Sequence, residues 1–332
     1  QLIDIAAEAG SDMVKFQTFK SETLAAQSAE KAEYQKNLTD KGESQFEMIE
    51  KLELNRAAHD ELIQHCEEKG IRFLSTAFDH DSIDLLNELN IPLYKIPSGE
   101  ITNGPLLLQY AQTGRDLVLS TGMSTIAEVK AALSVLAFGL TGRNSPSTQA
   151  FDQAFTSQEG REALRAHVTL LHCTTQYPAS LSSVNLKAMI SLQEVFGLRI
   201  GYSDHTPGAV VACAAAALGA RVIEKHFTLD NTLPGPDHKA SLEPLELKQM
   251  IESVRMVEQA LGDGQKVPHA TEMENRPVAR KSLVAAHTIR QGEIFSPENV
   301  AVKRPGTGRS PMEYWDILGR KSNRDHEFDE FL

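Results

Sequence analysis

The chain is 332 residues long, with 41% apolar and 23% charged residues, a composition of globular proteins that excludes disordered, collagen-like and coiled-coil classes. Lys and Arg number 33 against 45 Asp and Glu, a formal net charge of −12, so the basic footprint that nucleic-acid backbones require is missing. Any anionic ligand must be held by a local cluster of cations. The longest apolar run, Ala209 to Leu218, covers about half of the ~20 residues that a membrane-spanning helix needs.

The length suits two domains, or one large barrel with a small appendage. Cys66, Cys173 and Cys213 lie far apart with no CxxC spacing, which predicts reduced thiols in a cytoplasmic protein rather than a disulfide framework or structural zinc site. The chain opens at Gln1 directly in a helical pattern, and a truncated N-terminus is expected.

In chain order, seven short β-rich runs are predicted: Met13 to Thr18, Ile71 to Thr76, Leu93 to Ser98, Asp116 to Thr121, Val168 to Cys173, Arg199 to Asp204 and Arg221 to Phe227. Nearly continuous apolar runs such as LVLS and VTLLHC fit parallel strands covered on both faces. Helices are predicted before and between them at Leu2 to Ala9, Glu61 to Lys69, Ser82 to Leu89, Thr125 to Ala137, Leu186 to Val195 and Ala209 to Leu218, with Pro244 to Leu261 closing the series. An opening helix, seven strands and a long closing helix predict an α/β fold: a (β/α)8 TIM barrel lacking its first strand, over residues 1–265. An open doubly wound sheet is the alternative, but no GxGxxG or P-loop follows any strand. Residues 266–277 then read as a polar linker. Residues 278–332 read as a small β-rich module, with short runs at Ser282 to Ala286, Glu293 to Phe295 and Val300 to Lys303.

Barrel enzymes carry reactive groups at the C-terminal ends of their strands. Polar residues recur there: Lys15 and Gln17, Ser75 and Thr76, Lys95 and Ser98, Ser120 and Thr121, His172 and Thr174, Ser203 and His205, Glu224 and His226. Singly, each serine or threonine reads as a helix cap. Seven coincident strand ends read as a site. His205 and His226 end consecutive strands, so their rings can converge to hold a divalent metal with open positions for substrate; the alternative for either is a hydrogen-bonded rim residue. Lys15 and Lys95 sit on apolar strands, where an uncompensated charge is costly. They imply a bound phosphate or carboxylate, or else a partner such as Glu100 or Glu224. In the Gly/Pro-rich loop Asp230 to Pro244, Asp237 is a candidate contact for a polyol hydroxyl or a turn residue.

The segments KFQTFK, STAFD, KIPSGEITNGPLL, LSTGMST, LLHCTTQYPAS, GYSDHTPG, IEKHFTLD and LPGPDHKASLEP closely resemble the sialic acid synthase (N-acetylneuraminate synthase) family. The tail RKSLVAAHTIRQGEIFSPENVAVKRPGTGRSP is similar to that family's C-terminal antifreeze-like (SAF) domain. The resemblance implies a transferase-type synthase condensing phosphoenolpyruvate with open-chain N-acetylmannosamine and water, releasing phosphate by C–O cleavage. A legionaminic or pseudaminic acid synthase using a deoxy-diacetamido hexose is the alternative, and an inactive carbohydrate-binding paralogue a further one.

The same resemblance implies that His205 and His226 bind the metal, manganese or else magnesium or cobalt, and act in catalysis with Glu224. It implies that Lys15, Thr76, Lys95, Ser98, Ser120, Thr175 and Ser203 grip phosphoenolpyruvate, Thr175 standing where some relatives carry asparagine. Gln17, Tyr177, Glu224 and Asp237 are implied to position the amino sugar, and Arg304 to reach the partner's sugar across a domain-swapped homodimer. The family's first strand, with its glutamate and Asn-His-Asn-Gly type motif, is expected upstream of Gln1.

Overall fold

The computed structural model describes residues 1–26, 29, 31, 44–235 and 237–332. The chain divides into two compact units, Gln1–Gly262 and Asp263–Leu332.

The first unit is built on seven strands: β1 (Met13–Thr18), β2 (Arg72–Ala77), β3 (Leu93–Ile96), β4 (Asp116–Ser120), β5 (Val168–Cys173), β6 (Arg199–Asp204) and β7 (Ile223–Lys225). Every ladder among them is parallel, with β1 paired to β2 and β3 to β7 paired in sequence order. The two parallel sheets, β1-β2 and β3 to β7, curve toward one another, so that Lys15 on β1 and Glu224 on β7 come close enough to form an ion pair. A further parallel bridge joins Phe227 to Leu242 just past β7. This is the predicted TIM-barrel architecture.

Period-two alternation decides which side chains face the barrel axis. Val14, Tyr94, Leu117, Leu119, Leu170, Ile200 and Tyr202 face outward into the main core, where the helices cover them. Each such leucine or isoleucine contributes about 1.5–3 kcal/mol by leaving water. The intervening residues, among them Lys15, Thr76, Lys95, Ser120, Ser203 and Glu224, face the axis.

Between the strands, helices start on side-chain caps: Asn55, Asp79, Asn103 and Thr125 each accept a backbone N–H three residues on. The helices Gly104–Gln112, Thr148–Thr156 and Gln158–His167 were absent from the sequence expectation. Gly104-Pro105 reads as a breaker, yet Asn103 caps there and proline at a helix start loses no hydrogen bond. Ser157 ends one helix and caps the next, accepting from Gly160 N.

The second unit pairs β8 (Ser282–Ala285) antiparallel with β9 (Val300–Lys303) around a core of Leu283, Ala285, Ile289, Phe295, Val300 and Ile317. The expected strand at Glu293 to Phe295 is reduced to a single bridge between Ile294 and Lys321. The stretch expected as a polar linker is largely helical, Ala270–Ala279, because His269 and Glu272 form a reciprocal cap at its start.

Candidate functional site

Alternation places Lys15 and Gln17 on the inner face of β1, Lys95 on that of β3 and Glu224 on that of β7. Glu224 stands between the two ammonium groups. Its Oε1 is 3.2 Å from Lys15 Nζ and its Oε2 is 3.5 Å from Lys95 Nζ. Lys95 is 6% exposed and donates a hydrogen bond to the Ile96 carbonyl. Burial by itself would raise the Glu224 carboxyl, but Lys95 and then Lys15 outweigh it and hold the group well below the usual carboxylate range. Burial likewise pushes Lys95 down, against the pull of Glu224. The cluster carries two cations against one carboxylate, so it keeps a positive excess for an anion.

Hydroxyl groups on the inner face lack partners. Thr76 Oγ1 and Ser120 Oγ are buried with no hydrogen bond, and Glu224 Oε2 has the Lys95 ion pair but no hydrogen bond. Buried polar atoms are almost always satisfied, so such a set marks where a polar ligand belongs. Next to them, Ser98 Oγ accepts from Gly122 N at 2.9 Å and lies 3.1 Å from Cys173 Sγ. A Cβ on Gly122 would fall 2.8 Å from Ser98 Oγ and 2.9 Å from Cys173 Sγ, and would collide with the Thr175 hydroxyl. The glycine therefore keeps a cradle open whose walls are Ser98, Cys173 and Thr175. Ser203 is buried, in register with Cys173 and Glu224.

His205 follows β6 and His226 follows β7, with ring centroids 5.5 Å apart. Tyr177 packs on both, at 4.2 Å from the His205 ring and 5.8 Å from that of His226. His205 Nδ1 donates to the Thr174 carbonyl at 2.7 Å, which fixes the tautomer and leaves the Nε2 lone pair free. Burial lowers both imidazoles below their ordinary value; Thr174 opposes this at His205 and Asp237 at His226. Two neutral imidazoles, one already oriented through its second nitrogen, fit a borderline divalent metal that keeps open positions. Among the described residues no third His, Cys, Asp or Glu joins them in a ligand cluster.

Three expected strand-end residues, Ser75, His172 and Thr121, turn to partners outside the cluster. Ser75 turns outward to Thr18 Oγ1 at 2.7 Å, and Thr18 in turn meets His59. His172 also faces outward, its Nε2 donating to the Val184 carbonyl at 2.7 Å, as a satisfied histidine of the outer layer. Thr121 donates to the Leu171 carbonyl. Asp237 starts a 3-10 turn, and its backbone carbonyl accepts from Ser241 Oγ. Gln17 is exposed, in register with Thr76. Arg304 is exposed on the second unit, just past β9.

Three features escaped the sequence expectation. Gly122 and Cys173 lie within quoted motifs, but no spacing rule marks their role. The third is a buried ion pair between Lys225 and Asp204, on the outer face.

A model described as the NeuB family matches residues 2–266, and a SAF domain model matches residues 280–332. The N,N'-diacetyllegionaminic acid synthase of Campylobacter jejuni is 48% identical over 332 residues, covering 100% of this chain and 93% of that protein. The human N-acetylneuraminate-9-phosphate synthase is 33% identical, covering 97% and 83%. Among solved structures, the N-acetylneuraminic acid synthetase of Leptospira borgpetersenii aligns with a TM-score of 0.66 at 29% identity, covering 82% of each chain. The chain therefore belongs to the NeuB family and carries a C-terminal SAF domain.

Proposed function

We propose that the chain is a metal-dependent synthase condensing phosphoenolpyruvate with a deoxy-diacetamido hexose, to give N,N'-diacetyllegionaminic acid or a close relative, and phosphate. The observation that carries this reading is the Lys15–Glu224–Lys95 cluster beside the unpartnered hydroxyls of Thr76 and Ser120. Its chemistry suits a small ligand with phosphate and carboxylate groups. The presence of this cluster with a paired imidazole site argues against an inactive paralogue.

N-acetylmannosamine, placed first by the sequence expectation, takes second place. Identity is 48% to the legionaminic acid synthase of C. jejuni and 42% to that of Legionella pneumophila, against 33% to a pseudaminic acid synthase and to the human enzyme.

In this reading Lys15 and Lys95 bind the anionic groups of phosphoenolpyruvate, and Thr76, Ser120 and Ser98 donate hydrogen bonds to them. That arrangement holds the enol ester in one orientation toward the acceptor aldehyde. His205 and His226 would hold a divalent ion, with manganese the first choice, which supplies Lewis-acid polarisation of the aldehyde oxygen. Glu224 keeps the two ammonium groups charged and apart, one carboxylate oxygen turned to each. Tyr177, Gln17 and Asp237 border the acceptor side. No lysine need act as a nucleophile, because the enol ester itself supplies the attacking carbon. Phosphate then departs with the ester oxygen once water has added to carbon 2.

The test is phosphate release from phosphoenolpyruvate with manganese and, in turn, a diacetamido hexose, N-acetylmannosamine and no acceptor. Release that depends on both metal and the diacetamido sugar supports the reading. Absence of release with every acetamido sugar would overturn it, as would a lysine trapped by borohydride in the presence of substrates.

A further inference from the structure

Asp204 and Lys225 stand opposite one another in the β6–β7 register, on the face turned away from the barrel axis. Both are buried, with side chains 0% and 2% exposed respectively. Asp204 Oδ2 accepts from Lys225 Nζ at 2.8 Å, while Oδ1 accepts from Thr206 N at 2.9 Å and from Thr206 Oγ1 at 2.8 Å. Lys225 Nζ donates in addition to the Thr206 carbonyl. Two of these hydrogen bonds join Lys225, which precedes His226, to the two residues that flank His205, and the other two join those flanking residues to each other.

The strand that leads into His226 is short. β7 is three residues long, so its ladder offers few bonds to hold it in place. His205 is held on its other side as well, through Nδ1 to Thr174 and through its own carbonyl, which accepts from Ala179 N at 2.8 Å. An apolar contact behind the strands would fill the same space without setting a direction. A buried carboxylate and ammonium with several shared hydrogen bonds permit one geometry. We propose that the Asp204–Lys225 ion pair is a positioning device that sets the relative placement of the His205 and His226 rings, and through them the affinity of the site for a divalent cation. The proposal rests on the metal reading of those histidines.

Removing one partner alone leaves a buried charge and confounds folding with function. The test therefore uses Asp204→Asn/Lys225→Met, which removes both charges at similar volume, and Thr206→Val, which keeps them and deletes one hydrogen bond. Manganese binding to the full chain is measured by calorimetry without substrate, together with thermal melting and phosphoenolpyruvate binding. Expected is a double variant that melts cooperatively and binds phosphoenolpyruvate within twofold of wild type, but binds manganese about 10- to 100-fold more weakly, the range for groups behind metal ligands. A folded double variant with wild-type manganese affinity overturns the proposal. If the double variant does not fold, Thr206→Val decides. Manganese binding at least threefold weaker supports the positioning role, and an unchanged affinity overturns it. His205→Ala separates this inference from its premise. If wild type binds no manganese, or His205→Ala binds it equally well, the metal reading fails and the proposal with it.

Discussion

Lys15 and Glu224, carried by the first and seventh strands of the barrel, meet at 3.2 Å across its mouth. Lys95 reaches the other oxygen of the same carboxylate from β3. Three strands distant in sequence thus share one charge cluster, and phosphoenolpyruvate would enter a space where the two cations already have a common partner.

That relationship gives a test by ligand-linked melting. Glu224→Gln leaves two ammonium groups together without their counter-charge, and breaking such a pair should cost about 1–3 kcal/mol, less than a fully buried pair because Lys15 and Glu224 retain some solvent. The empty variant should melt several degrees lower. Phosphoenolpyruvate supplies the missing negative charge, so its addition should raise the melting temperature of the variant more than that of wild type. An equal or smaller rise in the variant would contradict the role given to Glu224, whereas turnover is expected to be lost in either case.

Gly122→Ala tests the cradle. No positive φ stands in the way, but the added methyl would crowd Ser98 and Cys173 and strike Thr175. A folded variant with at least a tenfold higher KM for phosphoenolpyruvate is expected. Wild-type KM in that variant would place the ligand elsewhere.

His205→Ala and His226→Ala should each abolish metal-dependent turnover and leave the melting temperature within a few degrees of wild type. Neither ring belongs to the main outward core, which the helices cover. Measurable manganese-stimulated turnover in either variant would remove that histidine from the metal site.

The strands were legible because parallel strands covered on both faces are apolar throughout, and the seven predicted runs match β1 to β7 within a few residues. Lys15 and Lys95 were legible as ammonium groups on such runs. Lys225 carries the same signal but the opposite meaning. It lies one position from both Glu224 and His226, so the period of two turns it outward to Asp204. Ser75 and His172 fall to the same rule, each on the outer face with a partner there. Treating every polar strand end as facing the mouth hides this parity. The Gly104–Gln112 helix was hidden by a glycine-proline pair that local chemistry turns into a helix start.

Arg304→Ala examines the second unit. We propose from the family resemblance that this exposed arginine reaches the N-acyl sugar of a partner copy, so KM for the acceptor should rise about tenfold while KM for phosphoenolpyruvate stays within twofold. The reverse pattern would contradict the assignment.

The most direct measurement is a competition. The full chain is given phosphoenolpyruvate, manganese and equal concentrations of a deoxy-diacetamido hexose and N-acetylmannosamine, and the products are weighed by mass spectrometry. Expected is a nonulosonic acid bearing two acetamido groups as the dominant product. Dominance of N-acetylneuraminate, or consumption of phosphoenolpyruvate with neither sugar acid formed, would contradict the function proposed for this site.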